Sequence, residues 1–209
     1  MQWQLFAWRS LKMQSRCGSF VVSADPWVFI LLAAAILIFP IKWILSWVIA
    51  TWIHEMFHCI AILVCGIQMN GMRIGINGIL LETEPMDRKA ELFCTIAGPV
   101  GGFLVTLLAR WFPTLALCGF MQSVFNLLPV YPLDGGRALY LTTDILVKRW
   151  SRPIMAAAES TTLMLLIIIS LYGSICLKLG HFPMVFAILV LLRRWRIKIP
   201  CKEGKLRVQ

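Results

Sequence analysis

The chain has 209 residues, of which 59% are hydrophobic and only 14% charged, and its mean hydropathy is +0.79. So apolar a composition excludes an ordinary soluble domain and points to a polytopic membrane protein, all-α in class. The formal charge of +10 does not signal nucleic acid, because the basic residues flank apolar runs and form no stripe with interleaved aromatics. The partner they suit is the anionic face of a lipid bilayer.

Residues 1–26 lack the compact apolar core and small-residue cleavage site of a signal peptide. Within them Trp3, Phe6, Trp8 and Leu11 alternate with Arg9, Lys12 and Arg16, as in a segment lying on a membrane surface. Apolar runs then predict about six transmembrane helices, at 27–39, 41–65, 92–110, 112–133, 154–177 and 180–193, with a short basic tail at 194–209, all in one domain. The first run is short: as helix it reaches roughly 20 Å, against roughly 30 Å of hydrocarbon. Residues 27–67 as a single helix would measure about two bilayer thicknesses, so a tight turn is expected near Phe39-Pro40-Ile41-Lys42.

The second run contains His54-Glu55-Met56-Phe57-His58, and Glu55 is the only charge between Lys42 and Arg73. On a helix, residues four apart share a face, so both imidazoles can reach one metal ion while Glu55 stands beside it. With three His and six Glu in the chain, such a pattern arises by chance on the order of once in a thousand sequences of this composition. A charge in the middle of a membrane helix costs about 2.5–3.5 kcal/mol unless it is paired, hydrated or beside an ion. If the two histidines merely bonded neighbouring helices, Glu55 would be left without a cation nearby.

Between the second and third runs, Met72–Ile76 and Ile79–Thr83 flank Asn77-Gly78, the dipeptide of a two-residue hairpin turn. A short membrane-surface β-hairpin is expected there. The third run carries Ala97-Gly98-Pro99-Val100-Gly101-Gly102, whose glycines suit close helix packing.

Two imidazoles do not complete a zinc site, and His181, the third histidine, falls at the outer start of the last run. Asp134 follows Pro129 and Pro132, which should break the fourth helix, and precedes Gly135 and Gly136, which free the backbone. Asp134 is therefore the expected third ligand. Arg137 could neutralise Asp134 or bind lipid phosphate, and Glu159 is expected at an exposed helix start. The seven cysteines include no C-x-x-C pair and imply no disulfide framework.

With the N-terminus inside, 17 of the 20 Lys and Arg residues fall on the inner side, which places both termini in the cytoplasm. The proposed site then lies toward the cytoplasmic half.

His54-Glu55-x-x-His58, Asn126 and Leu133-Asp134-Gly135 together resemble the site-2 protease family of intramembrane zinc metalloproteases. Asn126-Leu127-Leu128-Pro129-x-x-Pro132-Leu133-Asp134-Gly135-Gly136 is similar to its bacterial, sporulation-type branch. The chain has no room for the PDZ or CBS domains of many members. The resemblance implies Zn²⁺ on His54, His58 and Asp134, with Glu55 as the catalytic base in a bacterial cell membrane. It also implies that Asn126 holds the backbone of a membrane-anchored protein substrate, such as a transcription or sigma factor precursor. An amide at 126 could equally bond carbonyls freed by Pro129 and Pro132. A homo-oligomer or a regulatory membrane protein would be a further partner. The rival functions are a polytopic metal-ion transporter and a catalytically inactive scaffold homologue.

Overall fold

A computed structural model describes residues 13–17, 20–75 and 78–175. The expected run at 180–193, His181, the tail at 194–209 and the amphipathic residues 1–12 lie outside the described residues.

The chain enters through two strands, β1 (Met13–Cys17) and β2 (Phe20–Ala24), and turns into helix α1 (Pro26–Ile38). The Asp25 side chain caps α1 by accepting from the Trp27 amide at 3.4 Å, and Pro26 takes the first helical position, where its missing N–H costs nothing. The expected turn is at Phe39-Pro40: Phe39 is extended (φ −112°, ψ 147°), as the residue before proline prefers, and α2 starts at Ile41.

Helix α2 (Ile41–Val64) has 24 residues, roughly 36 Å of helix. Its buried positions Ala50, His54, Ala61 and Ile62 lie on one stripe, while Trp52, Leu63 and Val64 are exposed, as apolar residues facing lipid would be. The helix ends on Gly66, at φ +70°, a left-handed conformation that glycine adopts without penalty. Two reverse hydrogen bonds, Gly66 N–H to Leu63 O (2.9 Å) and Ile67 N–H to Ile62 O (3.1 Å), close the helix and aim the chain into the next strand.

Strands β3 (Met69–Gly75) and β4 (Gly78–Thr83) form the expected hairpin, but its pairing differs by two residues from that expected. Gly75 pairs with Gly78 and Ile74 with Ile79, whereas a two-residue turn at Asn77-Gly78 would pair Ile76 with Ile79. Since strand side chains alternate, Ile79, Leu81 and Thr83 share one face of β4.

The hairpin is half of a larger sheet. Its order is β1-β2-β3-β4, with β2 and β3 parallel and the other pairs antiparallel. The all-α expectation with one hairpin is thus corrected to a mostly helical chain with a four-stranded sheet. The parallel β2–β3 pair brackets the α1–α2 helical hairpin, a crossover of the length that parallel strands require.

Helix α3 (Arg88–Val105), extended by a 3-10 turn at Thr106–Leu108, packs against α2, α4 (Pro113–Asn126) and α5 (Asp134–Leu146). The expected run 112–133 is helical only to Asn126, because the prolines at 129 and 132 end it. Residues 127–133 form turns that include a cis Tyr131–Pro132 bond, and α5 begins at Asp134. Gly135 and Gly136 are helical, and their value is steric: a Cβ on Gly135 would overlap the Leu127 carbonyl. Helix α6 (Ser151–Ile175) follows a 3-10 turn at Lys148–Trp150. Since α6 starts at Ser151, Glu159 lies two turns in and is 5% exposed, against the expected exposed start.

Among the described residues, three helical stretches are long and apolar enough to cross a membrane: Ile41–Val64, Arg88–Leu108 and Lys148–Tyr172.

Candidate metal centre

Helix α2 brings His54 and His58 onto the face that meets α3 and α4, and the start of α5 brings Asp134 to the same point. His54 Nε2 lies 3.0 Å from Asp134 Oδ2, His58 Nε2 lies 3.4 Å from that oxygen, and the two Nε2 atoms are 3.3 Å apart. His54 is 2% exposed, so these donors converge in a nearly closed place.

The local contacts fix how His58 presents itself. Its Nδ1 lies 2.7 Å from the Cys94 carbonyl, and because a carbonyl only accepts, Nδ1 carries the hydrogen. The lone pair is then on Nε2, which points at His54 and Asp134. Gly98 makes room for this ring, since a Cβ at that position would overlap the imidazole itself. His54 Nδ1, by contrast, is buried without a hydrogen-bond partner.

The donor set fits zinc. Tetrahedral zinc with bonds of about 2.0–2.1 Å needs donor atoms about 3.3 Å apart, and the three separations are 3.0, 3.3 and 3.4 Å. Two imidazoles and one carboxylate also form the kind of three-ligand set that leaves a position open in catalytic zinc sites.

Beside the donors is a cavity of about 90 Å³, enough for about three waters at roughly 30 Å³ each. Glu55, His58 and Asp134 line one part of it, and Ile79, Leu81 and Thr83 of β4 line another. Glu55 is thus on the cavity that the donors border. Asn126 Nδ2 is 3.3 Å from His54 Nε2, which puts its amide at the ligand set and not on the carbonyls near Pro129 and Pro132.

Some neighbours were not legible from the sequence. The Cys94 carbonyl is a backbone group and leaves no trace in residue type. Arg137 does not neutralise Asp134: its Nη2 lies 3.4 Å from Glu91 Oε1, and both residues line the cavity. The usable signal was position, because Arg137 is three residues after Asp134 and so shares its helix face. One turn before His54, Thr51 Oγ1 donates to the Trp47 carbonyl at 2.9 Å and lies 3.4 Å from Gln122 Oε1, where α2 meets α4.

No family model matches the chain. A zinc metalloprotease of Methanocaldococcus jannaschii is 27% identical over 101 residues, which cover 42% of this chain and 30% of that protein. The chain therefore matches less than a third of this relative's length. The solved structure of a site-2 protease from Methanocaldococcus jannaschii superposes with a TM-score of 0.60 at 19% identity, covering 93% of this chain and 100% of that one. The chain has the site-2 protease fold. The sequence match to a zinc metalloprotease and the fold agree in supporting the site-2 protease family. In this site-2 protease fold, the His54–His58–Asp134 cluster is the one group of His, Cys, Asp and Glu side chains among the described residues arranged to hold a metal ion.

Proposed function

We propose that the chain is an intramembrane zinc metalloprotease that hydrolyses peptide bonds in or near the membrane-spanning segments of membrane-anchored proteins. The observation that carries this reading is the convergence of His54, His58 and Asp134 at 3.0–3.4 Å on a cavity that Glu55 also lines.

His54 Nε2, His58 Nε2 and Asp134 Oδ2 would hold the zinc. Bound there, the metal would polarise the scissile carbonyl and lower the pKa of water toward 7. Glu55 accepts the proton of the attacking water and returns one to the leaving amine, and the cavity admits that water beside it. The His58 Nδ1–H bond to Cys94 holds the ring in place while charge moves next to it. Asn126, with its amide at the ligand set, holds the substrate backbone.

A peptide bond inside a helix has its backbone groups engaged, so the substrate must be drawn out before it is cut. Strand β4 is an edge of the sheet and lines the cavity, so an extended substrate can add to it as a further strand. Released fragments would enter the cytoplasm if both termini are cytoplasmic, as the charge distribution indicates. That outcome suits precursors of transcription or sigma factors in a bacterial membrane. A second copy of the chain or a regulatory membrane protein would control access.

The test is to reconstitute wild type and Glu55→Gln with single-span substrates and to measure cleavage and bound zinc on the same samples. Glu55→Gln is expected to keep its zinc and to lose cleavage by about 10²–10⁴-fold. Cleavage at the wild-type rate would remove Glu55 from the mechanism. A transporter would retain zinc flux without cleavage, and an inactive scaffold would bind substrate without either.

A further inference from the structure

Two ion pairs join α3 to α5. Glu91 Oε1 lies 3.4 Å from Arg137 Nη2, and Arg88 pairs with Asp144. The carboxylates are the enclosed partners: Glu91 is 14% and Asp144 10% exposed. Enclosed carboxylates of this kind depend on their cations, because removing one cation strands a charge away from water.

The signs of the charges matter as much as their number. Along α3 the order is Arg88 then Glu91, three residues apart on one face; along α5 it is Arg137 then Asp144, two turns apart on one face. The two helices meet in opposite directions, so the early residue of each pairs with the late residue of the other. Sliding α5 one way would bring Arg137 toward Arg88, and sliding it the other way would bring Asp144 toward Glu91. Both shifts set like charges together, so this arrangement disfavours the neighbouring registers as well as favouring the observed one.

That register has a chemical consequence. Asp134 is the first residue of α5, and Cys94, whose carbonyl orients His58, lies on α3 one turn after Glu91. The offset between α3 and α5 therefore sets the offset between the carboxylate donor and the His58 imidazole. We propose that the Arg88–Asp144 and Glu91–Arg137 pairs form a two-rung latch that positions Asp134, so that metal affinity depends on residues that do not touch the metal. This inference rests on the reading of His54, His58 and Asp134 as a metal site.

The experiment uses the full chain in detergent and measures zinc affinity by competition with a chromophoric chelator, with gel filtration on each sample. Arg137→Gln and Glu91→Gln are expected to weaken zinc binding by about 10–100-fold, the range for residues that orient metal ligands. Arg137→Lys keeps the charge and is expected to weaken it less. Reversing all four charges together (Arg88→Glu, Glu91→Arg, Arg137→Glu and Asp144→Arg) restores both opposite pairs and their alternating order, and this exchange is expected to recover most of the loss, which a merely structural role would not produce. Wild-type affinity in both Gln variants, or an exchange variant as weak as the single ones, would overturn the latch. Should the Gln variants fail to fold, the exchange variant carries the test: one that elutes normally yet binds zinc about 10–100-fold more weakly than wild type would overturn the latch as well. His54→Ala separates the two readings: zinc lost there but unchanged in the latch variants rejects the latch alone. Equal binding by wild type and His54→Ala rejects the metal site itself and the latch with it.

Discussion

At the scale of single residues, the scarce residue types were the legible ones. Two histidines and a carboxylate within one apolar run stand out in a chain that has three histidines in all, so His54, Glu55 and His58 could be singled out before any geometry was known, and Asp134 by its place between two prolines and two glycines. The structure brings the three donors of that set to within 3.0–3.4 Å of one another. What supports them was not legible. The Cys94 carbonyl is a property of the backbone path that no residue type announces, and Gly98, legible only as a helix-packing glycine, leaves the space that the His58 ring fills. Gly98→Ala tests that space directly. A methyl group there must displace the His58 ring, and zinc affinity is expected to fall by about 10–100-fold, read by chelator competition. Gly75→Ala serves as the control, because a Cβ at that position meets nothing within 4 Å. Equal loss in both proteins would show that the effect is not local to His58.

At the scale of elements, legibility followed sequence separation. The hairpin of β3 and β4 is a local structure with a local turn signal, and it was found with its pairing two residues from that expected. Strands β1 and β2, five residues each, were missed although they pair with each other locally; β2 alone joins them to the rest of the sheet, by pairing with β3 across the whole α1–α2 hairpin. Helix α5 was missed for a different reason: it opens on Asp134-Gly135-Gly136, residues of poor helix propensity, and tertiary packing overrides that preference. The placement of β4 beside the cavity carries a prediction of its own. Ile79→Pro removes a backbone N–H and restricts φ in the strand that lines the cavity. Cleavage is expected to fall at least tenfold while zinc stoichiometry stays at the wild-type level. A variant that cleaves normally would remove β4 from substrate binding.

At the scale of the whole molecule, composition alone identified a membrane protein, and three helical stretches of sufficient length and apolarity agree with it. The number of crossings is less simple than the hydropathy pattern suggests. Helix α1 has 13 residues and α4 has 14, about two-thirds of the roughly 20 needed to span hydrocarbon, so the apolar runs include elements that turn back or stop within the bundle. The site draws on distant parts of the chain, two donors from α2 and one from α5. A bound ion therefore links α2 directly to α5, two segments that otherwise connect mainly through α3. Removing it is expected to abolish cleavage, and restoring zinc to recover it. Zinc at 100 times its dissociation constant should stabilise the folded form by about 2.7 kcal/mol, seen as a higher thermal midpoint. A midpoint indifferent to zinc would mean that the ion does not bridge these elements.

The open edge of β4 has one more consequence. Soluble proteins blunt such edges with charges, bulges or prolines, because an unpaired strand invites pairing with any extended chain that diffuses past. Here the edge borders a cavity in a chain with helices long and apolar enough to cross a membrane, and on the proposed function the chains that meet it are those anchored in the same bilayer. Anchoring replaces encounter from solution with encounter between tethered partners, at effective concentrations on the order of millimolar. Weak strand pairing is enough under those conditions, and selectivity then lies in which proteins share the membrane more than in the sequence that is cut.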